Sequence, residues 1–355
     1  MKIFFLIDSL NRAAGTERIA TDVANGLYRA TCWDIKFIVL SDNVNSCFAL
    51  EKEIEIISIH GSLKSFISTG IRLHRLLQKE VPDFLVNVAT TMSRISIPAA
   101  WGTCTKVITW EHFNLFAGSK LGYLWRLCSA RFSEKTVVLT HRDRNAYPTW
   151  VQSKVTTIYN FPTPVEGKCS DLSSHTAISV GRLTAQKGFD RLLEVWKFVH
   201  QHNKEWKLNI VGNGEDEIKL KQQAHSLGLS DCVTFLPATP HIADLYQQAS
   251  LYIMTSRFEG LPLVLIEAKQ QGLPCISFDC PNGPDEVIRQ DIDGKVIPNG
   301  NIQAMAESIL SLISDTDRIK LYGEAAHTDI KNRFSQEKII QDWINLFVSS
   351  HFRPS

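Results

Sequence analysis

Hydrophobic residues after position 176 follow two alternating patterns. Short apolar runs, as in strands, recur in the order AISVG, LNIVG, CVTFLP, SLYIMT and PCISF. The stretches between them space their apolar residues three or four apart, as in helices; they include FDRLLEVWKFVH, EDEIKLKQQAHSLG, IADLYQQA and PLVLIEAKQQ. Strands that alternate with helices of this length predict βαβ units and a parallel sheet.

The first half repeats the scheme less regularly. Its strand candidates are KIFFLI, IKFIVL, EIEIISI, FLVNVA, KVITW and KTVVLT, and its helical candidates cover residues 16–29, 63–79 and 119–132. Residues 159–174 have no periodicity, and their prolines, glycine and serines are typical of a linker. Because 355 residues exceed one ordinary core, the sequence predicts two doubly wound α/β domains that face each other across a cleft.

The composition is that of a globular protein outside a membrane. Hydrophobic residues make up 44% and charged residues 21% of the chain. The apolar run in MKIFFLIDSL stops at Asp8, so we expect a buried strand there and not a secretory signal. No window approaches the ~18 apolar residues of a membrane helix. Eight scattered cysteines without a CxxC pair favour reduced thiols. These features predict a cytoplasmic protein, with any membrane attachment peripheral.

Charge is distributed unevenly along the chain. Residues 1–165 contain 19 Lys and Arg against 13 Asp and Glu, whereas the remainder contains 19 against 24. This asymmetry indicates an anionic surface beside the first half, or it reflects chance. Residues 119–135, SKLGYLWRLCSARFSEK, combine aromatic and aliphatic side chains with cations. They suit either an anionic membrane surface or an ordinary amphipathic helix that packs inward.

Two glutamates stand eight positions apart in FEGLPLVLIEA. Pro262 suits the first turn of a helix and Gly272 its end, which places Glu259 in the preceding loop and Glu267 inside the helix. Aliphatic neighbours predict that this helix is largely buried, so the Glu267 carboxylate needs a partner. The two vicinal hydroxyls of a ribose would each donate to one of its oxygens. An arginine within the protein is the alternative.

Other polar candidates also follow predicted strands, where parallel sheets bind ligands. Arg182 and Lys187 lie in SVGRLTAQKGF, between a strand and a helix, and suit a phosphate or diphosphate; a solvated surface turn is the alternative. Gly15 permits an anion to approach the start of the first predicted helix. His112, in VITWEHFNL, is either a donor to a sugar hydroxyl or a loop histidine with partners in the protein. Glu111 either orients it or is exposed.

Several known site patterns are absent from the sequence. GNGEDE lacks the third glycine of the dinucleotide fingerprint, and no P-loop, GxSxG or HExxH pattern occurs. Asp291 and Asp293 have a spacing that could bind a metal, but the glycine that follows them favours a reverse turn. No strip of basic and aromatic residues suggests nucleic acid. We therefore expect no dinucleotide, no metal and no nucleic-acid partner.

In order and spacing, these segments resemble the retaining glycosyltransferases of family 4, which have the GT-B fold. FEGLPLVLIEA matches that family's pair of glutamates, GRLTAQKGFD matches its phosphate loop, and LNIVGNGED, VTFLP and CPNGPDEVI follow in the same order. RFSQEKIIQDWINLF is similar to the family's C-terminal helix, which crosses back onto the first domain. The resemblance implies an acceptor-binding Rossmann-like domain over 1–163, a nucleotide-sugar-binding one over 164–332, and that helix over 333–355.

The resemblance also assigns a donor site to residues that follow predicted strands. The donor diphosphate would be bound by Arg182, Lys187 and Gly15. The transferred sugar and the ribose would be bound by Glu259, Gly260, Leu261 and Glu267. His112 would meet the donor sugar and act with Glu259 in catalysis. Neither a metal nor another cofactor is implied, because the two cations can neutralise the diphosphate.

The implied activity is transfer of a hexose or N-acetylhexosamine from a nucleotide sugar, with retention of anomeric configuration. UDP is the expected nucleotide. The acceptor is a lipid-linked glycan in bacterial exopolysaccharide, capsule, O-antigen or lipopolysaccharide synthesis. Such enzymes work at the inner face of the cytoplasmic membrane, so we expect peripheral, salt-sensitive association with its anionic surface. A nucleotide-sugar epimerase or hydrolase of the same fold, and a non-catalytic glycan-binding relative, are the alternatives.

Two positions depart from the family's pattern. Ala14-Gly15 stands where the family has paired glycines, and Pro237 stands where it has a glycine after VTFL. Pro237 removes a backbone N–H near the expected nucleotide base. The choice of base is therefore open.

Overall fold

The computed structural model of the protein describes residues 1–12, 14–163, 168–281 and 283–352. The chain divides into two compact units, Met1–Asn160 with Gln336–Ser355 as the first and Phe161–Ser335 as the second. This division lies inside the predicted linker, whereas the boundary taken from the resemblance is 163/164. Part of that linker, 164–167, and the end of the predicted C-terminal helix, 353–355, lie outside the described residues.

Within the described part of the chain, the first unit has seven parallel strands in one sheet. Their bounds are β1 Lys2–Ile7, β2 Asp34–Val39, β3 Glu55–Ser58, β4 Phe84–Val88, β5 Lys106–Trp110, β6 Lys135–Val138 and β7 Val155–Thr157. The order across the sheet is β3-β2-β1-β4-β5-β6-β7, and neighbouring strands run parallel. The six predicted strands are confirmed. The sequence pattern missed β7, because a strand of three residues is too short for a periodicity.

Helices connect these strands. The described helices of the first unit are α1 Gly15–Thr31, α2 Phe66–Glu80, α3 Ser93–Ala100, α4 Lys120–Phe132, α5 His141–Ala146, α6 Thr149–Gln152 and α14 Gln336–His351. The three predicted helices are confirmed as α1, α2 and α4. The sequence pattern missed α3, which is short and carries Pro98 within it, because proline is a signal against a helix interior.

The last helix, α14, packs on the first unit although the rest of that unit ends at Asn160. Trp343 meets Trp110 edge-on with ring centroids 4.9 Å apart, and Phe347 lies 5.1 Å from Phe84. Ile340 occupies the space beside Gly26 of α1, where a Cβ would stand 2.6 Å from the Ile340 Cδ1 atom. These contacts bury the apolar face of α14 on the strands and on α1.

The second unit repeats the architecture. Its described strands are β8 Thr176–Val180, β9 Lys207–Val211, β10 Val233–Leu236, β11 Leu251–Met254, β12 Cys275–Asp279 and β13 Gly294–Pro298. Its described helices are α7 Phe189–His202, α8 Glu217–Ser226, α9 Ile242–Gln247, α10 Leu263–Gln270, α11 Pro284–Val287, α12 Ile302–Ile313 and α13 Thr316–Arg333. The parallel order is β10-β9-β8-β11-β12-β13. The fold class predicted from the sequence, two Rossmann-like α/β units, is confirmed.

Strand order fixes where each unit can bind a ligand. In the second unit the chain leaves β8 towards β9 on one side and later returns to β11 on the other. The connections therefore diverge at the carboxyl ends of β8 and β11, and ligands of doubly wound sheets bind at such a switch point. In the first unit the corresponding point lies between β1 and β4.

A buried group of charges joins α10, α13 and the turn before β13. Lys269 is fully buried, and its Nζ atom lies 2.7 Å from Asp329 Oδ2 and 3.0 Å from Asp293 Oδ2. Arg289 and Arg333 bind the same carboxylates from the rim. Asp293 is thus part of an ion-pair network, as its place in a turn allows.

Among the described residues, no group of three or more acidic, His or Cys side chains is arranged to hold a metal. None of the described helices is long and apolar enough to cross a bilayer.

Candidate active site

Two loops meet at the switch point of the second unit. Residues 181–188 follow β8, and residues 255–262 follow β11. The backbone N–H of Arg257 donates to the Gln186 carbonyl at 2.8 Å, and the Gln186 side-chain amide donates to the Phe258 carbonyl at 3.1 Å. These bonds hold the β8 loop and the β11 loop in one fixed arrangement.

Gly188 permits this approach. Its φ is +67°, and a Cβ there would lie 2.2 Å from the carbonyl oxygen of Thr255. The Thr255 hydroxyl donates to the Gly188 carbonyl at 2.9 Å. Only glycine combines that backbone conformation with so close a contact. Any larger residue at position 188 would push the two loops apart.

An ion pair that the sequence analysis missed clamps the same loops. Arg257 donates to both carboxylate oxygens of Asp190, at 2.8 and 2.6 Å, and to the Ala185 carbonyl at 2.7 Å. The bond to Arg257 lowers the pKa of Asp190, despite the opposing effect of burial. Both residues follow predicted strands, as Lys187 and Glu259 do, so the same rule of placement could have identified this ion pair from the sequence.

The predicted cation and the predicted acid are in direct contact. Lys187 Nζ lies 2.6 Å from Glu259 Oε1, and the Ser256 hydroxyl donates to the same oxygen at 2.6 Å. The Lys187 side chain runs over Gly181, where a Cβ would be 3.2 Å from Lys187 Cδ. The side chains of Lys187 and Glu259 are 16% and 8% exposed. Two groups that the sequence placed 72 residues apart therefore form one polar centre.

The neighbouring predicted residues lie on the same two loops. Arg182 is exposed on the β8 loop, and Leu261 is buried in the β11 loop. The Gly260 carbonyl fits against Gly283, whose φ is +105° and where a Cβ would lie 2.4 Å from that oxygen. Gly260 and Leu261 directly follow Glu259 in the β11 loop, and Arg182 directly follows Gly181, over which the Lys187 side chain runs.

Glu267 lies in α10, as predicted, but it is less enclosed than its aliphatic neighbours suggest. Leu265, Ile266 and Ala268 are buried, whereas Glu267 is partly exposed. Every residue of α10 is buried or half-buried, so the expectation of a largely buried helix is confirmed, and Glu267 is one of the half-buried residues.

Tyr252 of β11 is fully buried beside the end of β8. Its hydroxyl donates to the carbonyl of Val180, the last residue of β8, at 3.3 Å. Burial raises the pKa of Tyr252 well above its usual value, and the charges of Glu259 and Glu267 raise it further. A cation, two carboxylates and exposed Arg182 can bind a ligand that combines phosphate with sugar hydroxyls.

In the first unit, Gly15 is the first residue of α1 and is exposed. Ala14 precedes it with extended backbone and offers no side-chain cap. The N–H groups of the first turn of this 17-residue helix are suited to an anion. No described atom lies within 4 Å of a Cβ built at Gly15, so the position has room.

His112 follows β5 at the carboxyl edge of the same sheet. Its ring lies 4.6 Å from the Trp110 ring, and its buried Nε2 atom has no hydrogen-bond partner among the residues described. Burial lowers the pKa of His112 to about 4. The imidazole is therefore neutral at physiological pH, and its Nε2 atom makes no hydrogen bond to any described residue.

Glu111 supports the loop that carries His112, a role left open by the sequence. It is buried, accepts hydrogen bonds from Thr90 and from the Phe113 N–H at 3.0 Å, and pairs with Arg126 Nε at 2.9 Å. Burial raises the pKa of Glu111, while these partners oppose the rise. Glu111 is neither exposed nor bonded to the His112 ring; it fixes the backbone on either side of that residue.

Lowering the pH from 7 to 5 is expected to destabilise the first unit through His112. Its pKa is about 4 when folded and 6.5 when unfolded, so the unfolded chain binds the proton more tightly. This contribution is small above pH 6.5 and grows as the pH falls towards 4, reaching about 2 kcal/mol at pH 5. Urea titrations at both pH values, for the wild type and His112→Gln, would measure it. An identical pH response in both proteins would contradict the assignment.

The chain thus combines two Rossmann-like units with a contact between a lysine and a glutamate at the switch point of the second. Residues 170–329 match the family model described as glycosyl transferases group 1. The chain is 31% identical over 353 residues to a protein of Haemophilus influenzae named an uncharacterized glycosyltransferase, covering 96% of this chain and 98% of that one. The chain belongs to the group 1 glycosyltransferases.

Two further proteins extend the comparison. One is the GalNAc-α-(1→4)-GalNAc-α-(1→3)-diNAcBac-PP-undecaprenol α-1,4-N-acetyl-D-galactosaminyltransferase of Campylobacter jejuni, 25% identical over 360 residues and covering 98% of each chain. The other is the solved structure of HepE from Anabaena in complex with UDP. It superposes with a TM-score of 0.82 at 20% identity over 98% of this chain and 100% of that one, which supports the fold.

Proposed function

We propose that this glycosyltransferase retains the anomeric configuration of its donor. In this proposal it moves a hexose or N-acetylhexosamine from a UDP-sugar to a lipid-linked glycan, in bacterial surface polysaccharide synthesis at the inner face of the cytoplasmic membrane. The observation that carries the proposal is the 2.6 Å contact between Lys187 and Glu259 at the switch point of the second unit. It joins a phosphate-binding group to a hydroxyl-binding group at one place.

The cations act on the leaving group. When the bond between the sugar C1 and the diphosphate oxygen breaks, negative charge accumulates on the diphosphate. Lys187 and Arg182 follow β8 at the switch point, where they stabilise that charge more in the transition state than in the ground state. The Gly15 end of α1 offers backbone N–H groups for the same kind of anion.

Glu259 binds sugar hydroxyls in this mechanism and does not attack C1. Its Oε1 atom is occupied by Lys187 and Ser256, which orients the carboxylate and leaves Oε2 to accept from a hydroxyl. A retaining route with a covalent intermediate would need a free carboxylate as the nucleophile. We propose instead that the acceptor oxygen attacks C1 on the face of the departing diphosphate, and that a diphosphate oxygen takes the acceptor proton.

The remaining polar residues fit the donor. Glu267, partly exposed on α10, would accept from the two ribose hydroxyls. His112 is neutral, and its Nε2 atom has no hydrogen-bond partner among the described residues. In this proposal it donates to or accepts from a sugar hydroxyl. A metal is not required in this proposal, since the two cations neutralise the diphosphate; EDTA in the assay is expected to leave turnover unchanged.

The nucleotide and the acceptor are supported by similar proteins. HepE is solved with UDP, and the Campylobacter jejuni relative is named for an acceptor on undecaprenyl diphosphate. Pro237, which directly follows β10, lacks an N–H near the expected base site. A UDP preference would therefore rest on other groups of the second unit.

Release of UDP that depends on a lipid-linked acceptor is the expected result of the direct test. The purified protein would be incubated with a panel of labelled UDP- and other nucleotide sugars, with and without glycans linked to undecaprenyl diphosphate. NMR of the product should show the anomeric configuration of the donor. Glu259→Gln should abolish most of the transfer, whereas Glu194→Gln, an exposed acid on α7, should not. Acceptor-independent release would indicate a hydrolase, and inversion at C2 of the sugar an epimerase.

A further inference from the structure

A groove of about 550 Å³ lies between α2 and α3 of the first unit, and its lining includes none of the site residues described above. Its walls carry large apolar side chains that face solvent: Phe66, Ile67 and Ile71 on α2, and Trp101 after α3. Trp101 is 84% exposed and Ile67 is 68% exposed. Large apolar residues gathered on one face mark an interaction surface and not ordinary scatter.

Contacts between α2 and α3 give the groove a defined shape. The His74 Nδ1 atom of α2 lies 2.7 Å from the Ala99 carbonyl of α3, which holds the two helices at a fixed separation. Leu73, Ile95 and Ala99 pack beneath them in the core. The exposed side chains are therefore displayed by a rigid support.

Cations accompany the apolar residues. Arg75 and Arg94 line the groove, and no acidic residue lines it. Across residues 61–132, nine Lys and Arg stand against three Asp and Glu. The whole excess positive charge of the first half arises in this segment.

We propose that the α2–α3 groove is a membrane-docking surface that binds an anionic phospholipid bilayer. Ile67, Ile71 and Trp101 enter the interface between headgroups and acyl chains, while Arg75 and Arg94 contact lipid phosphates. This deepens the peripheral association in the proposed function, on which it rests, by naming the surface. The surface lies on α2 and α3 and not on residues 119–135, which the sequence left open between a membrane surface and an inward-packing amphipathic helix.

Charge decides between a bilayer and a second copy of the chain. A symmetric dimer through this face would pack it against a copy of itself, whose groove lining offers Arg75 and Arg94 no acidic partner, and positive charge on both sides of an interface opposes association. An anionic bilayer complements the same cations. The observations therefore favour lipid over self-association.

Flotation of the purified full chain with vesicles tests the surface. Vesicles of phosphatidylcholine with phosphatidylglycerol should bind the wild type at low salt, and vesicles of phosphatidylcholine alone should bind it much less. The double variant Ile67→Ser/Trp101→Ala should bind about tenfold less. Arg75→Gln or Arg94→Gln should each cost about fivefold. Trp150→Ala, an exposed tryptophan on α6, and Lys52→Gln are matched controls that should bind as the wild type does.

Three outcomes would overturn the proposal. The groove variants could float like the wild type while Leu121→Ser/Leu124→Ser on α4 does not, which would return the surface to residues 119–135. The groove double variant could convert a dimer to a monomer in sedimentation with no vesicle binding by any form. The wild type could also fail to bind anionic vesicles at low salt.

The test separates docking from transfer. With an acceptor solubilised in detergent, the groove variants should keep wild-type turnover, because the groove takes no part in the chemistry. If neither the wild type nor any variant transfers sugar, the proposed function is contradicted. Flotation would still decide whether the groove binds lipid.

Discussion

Lys187→Ala is expected to lower kcat/KM for sugar transfer by about 10²–10³-fold, the usual consequence of removing one preorganised group that stabilises transition-state charge. The variant loses the cation assigned to the diphosphate. It also removes the 2.6 Å partner of Glu259; among the described side chains, that mostly buried carboxylate would keep the Ser256 hydroxyl as its hydrogen-bond donor. Both changes weaken the site at the step in which the leaving group acquires charge.

Kinetics with a saturating acceptor would measure the effect. A fall in kcat would show that Lys187 acts in the transition state, whereas a rise in KM alone would show that it only binds the donor. Lys187→Arg should recover part of the activity, because it keeps the charge but changes its geometry. Lys197→Ala, an exposed lysine of α7, is the matched control. Turnover of Lys187→Ala within threefold of the wild type would contradict the assigned role.

Lys269→Met is expected to destabilise the second unit by about 3–5 kcal/mol. Methionine conserves the length of the side chain, so the change isolates the charge. Lys269 is fully buried and bonds Asp293, Asp329 and the Val287 carbonyl. Without it, the two buried carboxylates keep the partly exposed guanidinium groups at the rim and the Arg289 backbone N–H, which donates to Asp293, and a buried charge that loses a partner is costly.

Urea unfolding of the full chain would report this loss as a lower midpoint for the second unit. Lys197→Met changes the same residue type on the surface of that unit and should leave the midpoint within the error of the measurement. A destabilisation below about 1 kcal/mol by Lys269→Met would show that the rim arginines alone balance the two acids. Turnover of any remaining folded protein should be near that of the wild type.

The spacing of apolar residues along the chain predicted most of the strands and helices. Strands such as KIFFLI and KVITW are buried on both faces and read as continuous apolar runs, while α1 and α2 space their apolar residues for one buried face. These local patterns, with the rule that ligands bind beyond parallel strands, also selected Lys187, Glu259 and His112. Each of the three follows a strand in the structure.

Elements without a local pattern were missed. The three residues of β7 are too few for a periodicity, and Pro98 disguised α3. The clamp between Arg257 and Asp190 and the network around Lys269 join residues far apart in sequence. The sequence does not identify these pairs, because charged residues far apart along the chain become neighbours only when the chain folds.

The sequence by itself determined the two parallel α/β units and the family, since both depend on local periodicity and on the order of short motifs. Tertiary structure alone decided that Lys187 bonds Glu259, that Glu267 is only half-buried and that apolar side chains of α2 and α3 line an exposed groove. The physical reason is that burial and pairing belong to three-dimensional neighbours. A hydrophobic residue on an amphipathic helix has the same letter whether it faces the core or the solvent.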